Sequence, residues 1–165
     1  IAKGDKIVVQ PSGQSATIKD IQTFDGSLNE AVAGQSVTLL LDEYVDVSRG
    51  DTLAEAARPA TLLKTVDADI CWLSEEPLDL RRKYWLKHTT RQVAARVTKI
   101  DSLLDINTQE RHNAEEVKLN GIARVSINVQ QPLAADAYDA SRATGAFILI
   151  DEVTHQTVAA GMIRL

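Results

Sequence analysis

A chain of 165 residues fits one domain or two small ones, and 44% hydrophobic with 25% charged residues is an ordinary globular balance. A net charge of -5 argues against a dedicated nucleic-acid binder, whose footprint is normally basic. The single cysteine, Cys71, excludes an internal disulfide, and no apolar run nears the roughly 20 residues that span a bilayer.

With no secretory leader visible, the expected location is the cytoplasm. The charge is uneven: residues 1–59 carry five Lys/Arg against nine Asp/Glu, and residues 60–165 carry thirteen against fourteen.

In chain order, period-two apolar patterns dominate and helical periodicity is nearly absent. The chain opens on Ile1 and enters at once the turn Lys3-Gly4-Asp5, which ought to follow a strand, so a piece of a longer protein is expected. Strands are predicted over Lys6–Gln10, closed by Pro11-Ser12-Gly13, over Ala16–Ile21, and over Ser36–Leu41 after Ala33-Gly34. Arg49-Gly50-Asp51 turns into a short strand at Thr52-Leu53. The pattern then fades through Ala54–Pro59, where a domain junction is expected, giving units 1–58 and 59–165.

Beyond the junction, strands are predicted over Thr61–Trp72, Tyr84–His88 and Gln92–Ile100, the last with Val93, Ala95 and Val97 on one face. A turn or two of helix is predicted around Asn113–Leu119, stopped by Asn120-Gly121. Ala123, Val125, Ile127 and Val129 alternate with polar residues in the clearest strand of the chain. Pro132 is expected to end it, as Pro77 ends the strand containing Trp72, and in both cases the following leucine is expected to pack beneath a loop. Apolar runs over Ala146–Ile150 and Val158–Ile163 read as a closing hairpin.

Three glycine-bearing segments, Gly4-Asp5-Lys6-Ile7, Ala33-Gly34-Gln35-Ser36-Val37 and Arg49-Gly50-Asp51-Thr52-Leu53, resemble in order and spacing the barrel that follows the nucleotide domain in translation-type GTPases. Asp69–Leu78, Asp105-Ile106-Asn107-Thr108, Leu119-Asn120-Gly121-Ile122-Ala123 and the hairpin Phe147-Ile148-Leu149-Ile150-Asp151 resemble the third domain of the large, GTP-binding subunits of bacterial sulfate adenylyltransferases. The resemblance implies an all-β fold of two packed small β-barrels, the first incomplete at its N-terminus. It also implies a non-catalytic scaffold role. In that family GTP hydrolysis is coupled to formation of adenylylsulfate from ATP and sulfate on a separate catalytic subunit. The implied partners are that catalytic subunit and an upstream GTPase domain, with no nucleic acid and no membrane. Some members carry a fused adenylylsulfate kinase after the last hairpin. The alternative, of another class, is an RNA-binding barrel fragment of a translation elongation factor.

No phosphate loop, Asp-x-x-Gly or Asn-Lys-x-Asp is present, and none of the eight glycines is followed by lysine. GTP and magnesium are therefore expected in the parent's GTPase domain, and catalytic, cofactor-binding and metal residues in this chain are expected to be none. His88, His112 and His155 lack metal-ligand spacing, and Cys71 beside Trp72 reads as a core thiol. Adjacent Glu75 and Glu76 point to opposite faces of an extended chain and read as a solvated loop. Arg81 to Lys99 holds seven cations and no carboxylate. Within it Arg81, Arg82, Lys83, Tyr84, Trp85 and Lys87 are the candidate partner contact, because a local positive field in an acidic chain attracts an acidic surface and aromatics supply anchors.

Overall fold

The computed structural model describes residues 1–165, which divide into two compact units, Ile1–Ala60 and Thr61–Leu165. The first unit contains β1 (Lys6–Gln10), β2 (Gln14–Thr23), β3 (Gly26–Leu28), β4 (Thr38–Leu41) and β5 (Thr52–Glu55). The long strand β2 belongs to two ladders. Its first half pairs antiparallel with β1, and its second half pairs with β3 and β4 after a bulge between Ile18 and Asp20. With β5 on the far side of β1, the sheet curls into a half-barrel over Ile7, Ala16, Ile18, Ile21 and Ala31. Gly4, Gly34 and Gly50, the motif glycines, all take positive φ, where a side chain is strained.

The second unit contains β6 (Thr61–Trp72), β7 (Tyr84–His88), β8 (Arg91–Leu104), β9 (Arg111–His112), β10 (Ile122–Ala135), α1 (Arg142–Gly145), β11 (Ala146–Asp151) and β12 (Thr157–Arg164). The strands run in the order β10-β6-β12-β11-β7-β8, and β10 pairs again with β8, which closes the barrel. Alternation decides what goes inside. Val66, Ala68, Ile70 and Trp72 of β6 face in, as do Leu86 of β7, Val93, Ala95 and Val97 of β8, Ala123, Val125, Ile127 and Val129 of β10, and Phe147 and Leu149 of β11. The Phe147 ring fits only because residue 161 opposite it is glycine, whose added Cβ would lie 2.2 Å from Cζ. One end is plugged by Trp72 and Tyr84 edge to face at 5.9 Å, with Leu78 and Val117 beneath.

Three expectations need correction. No helix forms at Asn113–Leu119: Val117 is fully buried and its carbonyl accepts from Leu78 N at 3.0 Å, so the segment's bonds run across the barrel end instead of along a helix axis. A stretch that short has too few internal bonds to offset helix nucleation. Asn120, at φ 63, instead turns the chain so that its N–H donates to the Trp72 carbonyl. The helix that does form is one turn at Arg142–Gly145, which periodicity did not mark. Pro132 does not end its strand. It sits in a bulge between Asn128 and Leu133, where a missing N–H costs the ladder nothing, and β10 continues to Ala135. Cys71, finally, is half-buried on the outer face of β6, between Ile122 and Ala160 in register, because Trp72 takes the inward position.

Candidate partner interface

The basic stretch lies on the loop before β7 and on the β7–β8 hairpin, and the alternation of these strands sorts its side chains. Tyr84 points inward. Its ring is 2% exposed, and its hydroxyl sits 3.3 Å from both the N–H and the carbonyl of Asp79. Burial raises the phenol above its ordinary pKa, and the ring is a barrel plug with no face left for a partner. Trp85 faces outward, half-exposed, between Ile150 of β11 and Ala94 of β8 in register, and Lys87 follows two residues on, on the same face.

The cations differ in what they already hold. Arg81 folds back on Asp79 at 3.3 Å. Arg82 bridges Glu76 at 3.1 Å and the buried Asp151 at 3.2 Å, tying the loop after β6 to the closing hairpin, and these carboxylates raise its own pKa. Asp151 also accepts from Thr154 N at 2.8 Å and Val153 N at 2.9 Å, which fixes the β11–β12 turn. Those backbone donors, with Arg82, outweigh burial and hold its carboxyl below the usual range. Arg82 thus serves the fold. Lys83, Lys87 and Arg96 are exposed and have no carboxylate within 4.0 Å.

Two concavities flank this surface. A cleft of about 620 Å³ runs between the Leu73–Pro77 loop and the Asp151–Thr157 turn, crossed by Arg82. Its central cation is already neutralised. A groove of about 330 Å³ lies on the other side, where the β8–β10 ladder ends at Val129 opposite Ala95 and the β10 bulge leads the strands apart. Lys83 and Arg96 line it together with Asn128 and Gln130. Sequence reasoning reached Lys83 and the stretch containing Arg96 but missed the two amides. The signal was present in the polar phase of the alternation along β10.

A further charged knot sits on the outer wall. Asp69, 3% exposed, receives Arg111 at 2.7 Å, Arg124 at 3.0 Å and Arg164 at 2.9 Å. Burial alone would raise its carboxyl, but the three guanidiniums prevail and hold it below the ordinary value. His88, also buried, has Nε2 2.7 Å from the Thr144 carbonyl at the end of the helix turn. His112 ends β9 and His155 occupies the closing turn at φ 57.

The one helix, Arg142–Gly145, is four residues long, and its Ser141 N-cap makes no side-chain cap bond.

Comparison with known proteins places both units. Residues 1–54 match the family described as Elongation factor Tu domain 2, and residues 65–164 match GTP-eEF1A C-terminal domain-like. Over 99% of its length the chain is 42% identical to Sulfate adenylyltransferase subunit 1 of Shewanella woodyi and 40% identical to the protein of that name from Aliarcobacter butzleri. It spans 35% of the length of each of these relatives. A crystal structure of sup35 complexed with GDP superposes on the whole chain with a TM-score of 0.89 at 20% identity, covering 41% of that protein. Residues 1–54 are similar to Elongation factor Tu domain 2, the fold is that of translation-factor GTPase barrels, and the chain belongs to the GTP-eEF1A C-terminal domain-like family.

Proposed function

We propose that this chain is the non-catalytic barrel portion of a GTP-dependent sulfate adenylyltransferase subunit. In this reading it supports the coupling of GTP hydrolysis to the synthesis of adenylylsulfate from ATP and sulfate on a separate catalytic subunit. The observation that carries it is the 42% identity to Sulfate adenylyltransferase subunit 1 along 99% of the chain. GTP and magnesium belong, on this reading, to a GTPase domain outside these residues. A barrel whose six strands are each paired on both sides deforms little, which suits a body that transmits a rigid displacement.

The partner-contact surface is the outer face of β7 with the residue before it. Lys83, Trp85 and Lys87 carry the contact, while Arg81 pairs with Asp79 on the exposed loop and Arg82 is held by the buried Asp151. Reversing Lys83 and Lys87 to glutamate in the intact subunit is therefore the informative change, since reversing Arg82 would also release the closing hairpin. The variant is expected to associate more slowly with the catalytic subunit, most visibly at low salt.

The intact subunit co-expressed with the catalytic subunit is expected to co-purify with it. Transfer RNA, charged or not, is expected to leave the chain unshifted at about 0.15 M salt, because an acidic chain of net charge -5 offers only one short basic stretch to release phosphate counterions. Submicromolar binding of aminoacylated RNA without co-purification would overturn this reading in favour of an elongation-factor barrel.

A further inference from the structure

The groove at the β8–β10 divergence has an uncompensated charge. Lys83 and Arg96 line the same 330 Å³ depression and neither has a carboxylate within 4.0 Å, whereas Arg81, Arg82 and Lys99 of the same stretch each have one. Lys83 precedes β7 and Arg96 lies on β8, one residue beyond the Tyr84–Ala95 pair, so they are cross-strand neighbours of like sign. Like charges so placed repel, and an anion seated between them relieves that repulsion.

The remaining walls narrow the class of anion. Asn128 Oδ1 accepts from Thr65 Oγ1 at 3.1 Å, which leaves its Nδ2 hydrogens as donors to the groove, and the Gln130 amide stands two residues further along β10. The apolar part of the wall is Ala94, which faces outward with Arg96 while Ala95 and Val129 face into the barrel. Trp85, beside Ala94 on the adjoining strand face, extends the apolar surface. Two cations, two amides and an apolar wall suit a carboxylate carried on an aliphatic stem. A nucleic-acid backbone would need several phosphates neutralised at once, and on this face only Lys87 adds a further unpaired cation, in a chain of net charge -5.

We infer that the Lys83–Arg96 groove binds an acidic extended protein segment, with one carboxylate held between the two cations and neighbouring aliphatic side chains on Ala94 and Trp85. This deepens the proposed contact of the barrel with a protein partner, and it rests on that reading for the identity of the partner but not for the chemistry of the groove.

The test uses the 165-residue chain and a fluorescein-labelled eight-residue peptide of alternating glutamate and leucine, followed by anisotropy at low salt. Saturable binding with a Kd of about 10–100 μM is expected, weakened about tenfold or more by Lys83→Glu with Arg96→Glu. The double reversal Lys6→Glu with Lys19→Glu, on exposed lysines of the first unit, changes the net charge equally and is expected to leave the affinity within about twofold. Lys83→Arg with Arg96→Lys keeps both charges and is expected to retain binding, which guards against loss through misfolding. Absence of peptide binding, equal weakening by the control reversal, or tighter binding of octa-uridylate RNA at the same groove would each overturn the inference. Co-purification with the catalytic subunit is read separately, so failure of the groove and failure of the sulfate-subunit reading give different results.

Discussion

At the scale of single residues, the sharpest dependence lies at Asp69 and Gly161. Asp69→Asn leaves three guanidiniums without their shared carboxylate. Because those arginines are themselves 31–43% exposed and can be rehydrated, the cost is expected near the low end for a broken buried network, about 2–3 kcal/mol in urea unfolding at pH 7. The pH dependence has a definite sign. The folded-state pKa values of Asp69 and Asp151 lie below the ordinary 3.8, so their stabilisation is complete above about pH 5 and is lost as pH falls from 4 through the folded values. Unfolding free energies measured at pH 7 and pH 3 are expected to differ less in Asp69→Asn than in the unaltered chain. At position 161 any Cβ meets the Phe147 ring, which is 4% exposed inside the barrel and has nowhere to move. Gly161→Val is expected to cost about 2–3 kcal/mol, read as a lowered Tm, with far-UV circular dichroism retaining its strand signature.

At the scale of elements, pairing on both sides separates strands that hold the barrel from strands that trim it. β6 lies between β10 and β12, and β10 between β6 and β8, whereas β4 pairs only with β2 and β9 is two residues on the edge of β8. Hydrogen exchange is expected to be slowest at Ala68, Ile70, Val125 and Ile127, and faster by about a thousandfold or more at Leu39 and His112. Comparable rates in both sets would contradict this ordering. The same contrast governs what could be read in advance. β1, β7, β11 and the Val66–Trp72 half of β6 were legible because one face of each is buried, which imprints alternation on the sequence. β3 and β9, at three and two residues, are too short to imprint anything. The Asn113–Leu119 segment misled because its order comes from distant partners at Trp72 and Leu78, which a local pattern cannot reveal. For the interface, the charge run was visible, but not that Tyr84 is a plug or that Arg82 is already spent on Asp151. Those depend on the strand phase and on a partner 69 positions away.

At the scale of the whole molecule, two unlike units share one chain. Unit Thr61–Leu165 contains a complete inner cluster running from Val66 to Ile163, and expressed alone it is expected to unfold cooperatively by circular dichroism. Calorimetry of the 165-residue chain with magnesium and GTP, or with ATP, is expected to show no heat of binding, and a Kd tighter than about 10 μM would contradict a barrel without phosphate-cradling elements. Barrel closure by the β8–β10 ladder has a consequence for how this chain behaves among its own copies. A sheet joined to itself has no full-length edge strand, so in the larger unit unpaired backbone is confined to overhangs such as Thr61–Val66 of β6 and Gln130–Ala135 of β10 and to the two-residue β9. In the half-barrel, β3, β4 and β5 each have a ladder on one side only, with Phe24 and Tyr44 fully exposed on the loops beside them. Within these residues, and apart from those overhangs, strand addition between copies is therefore confined to the rims of β3, β4 and β5 and is denied to the seam of the closed barrel.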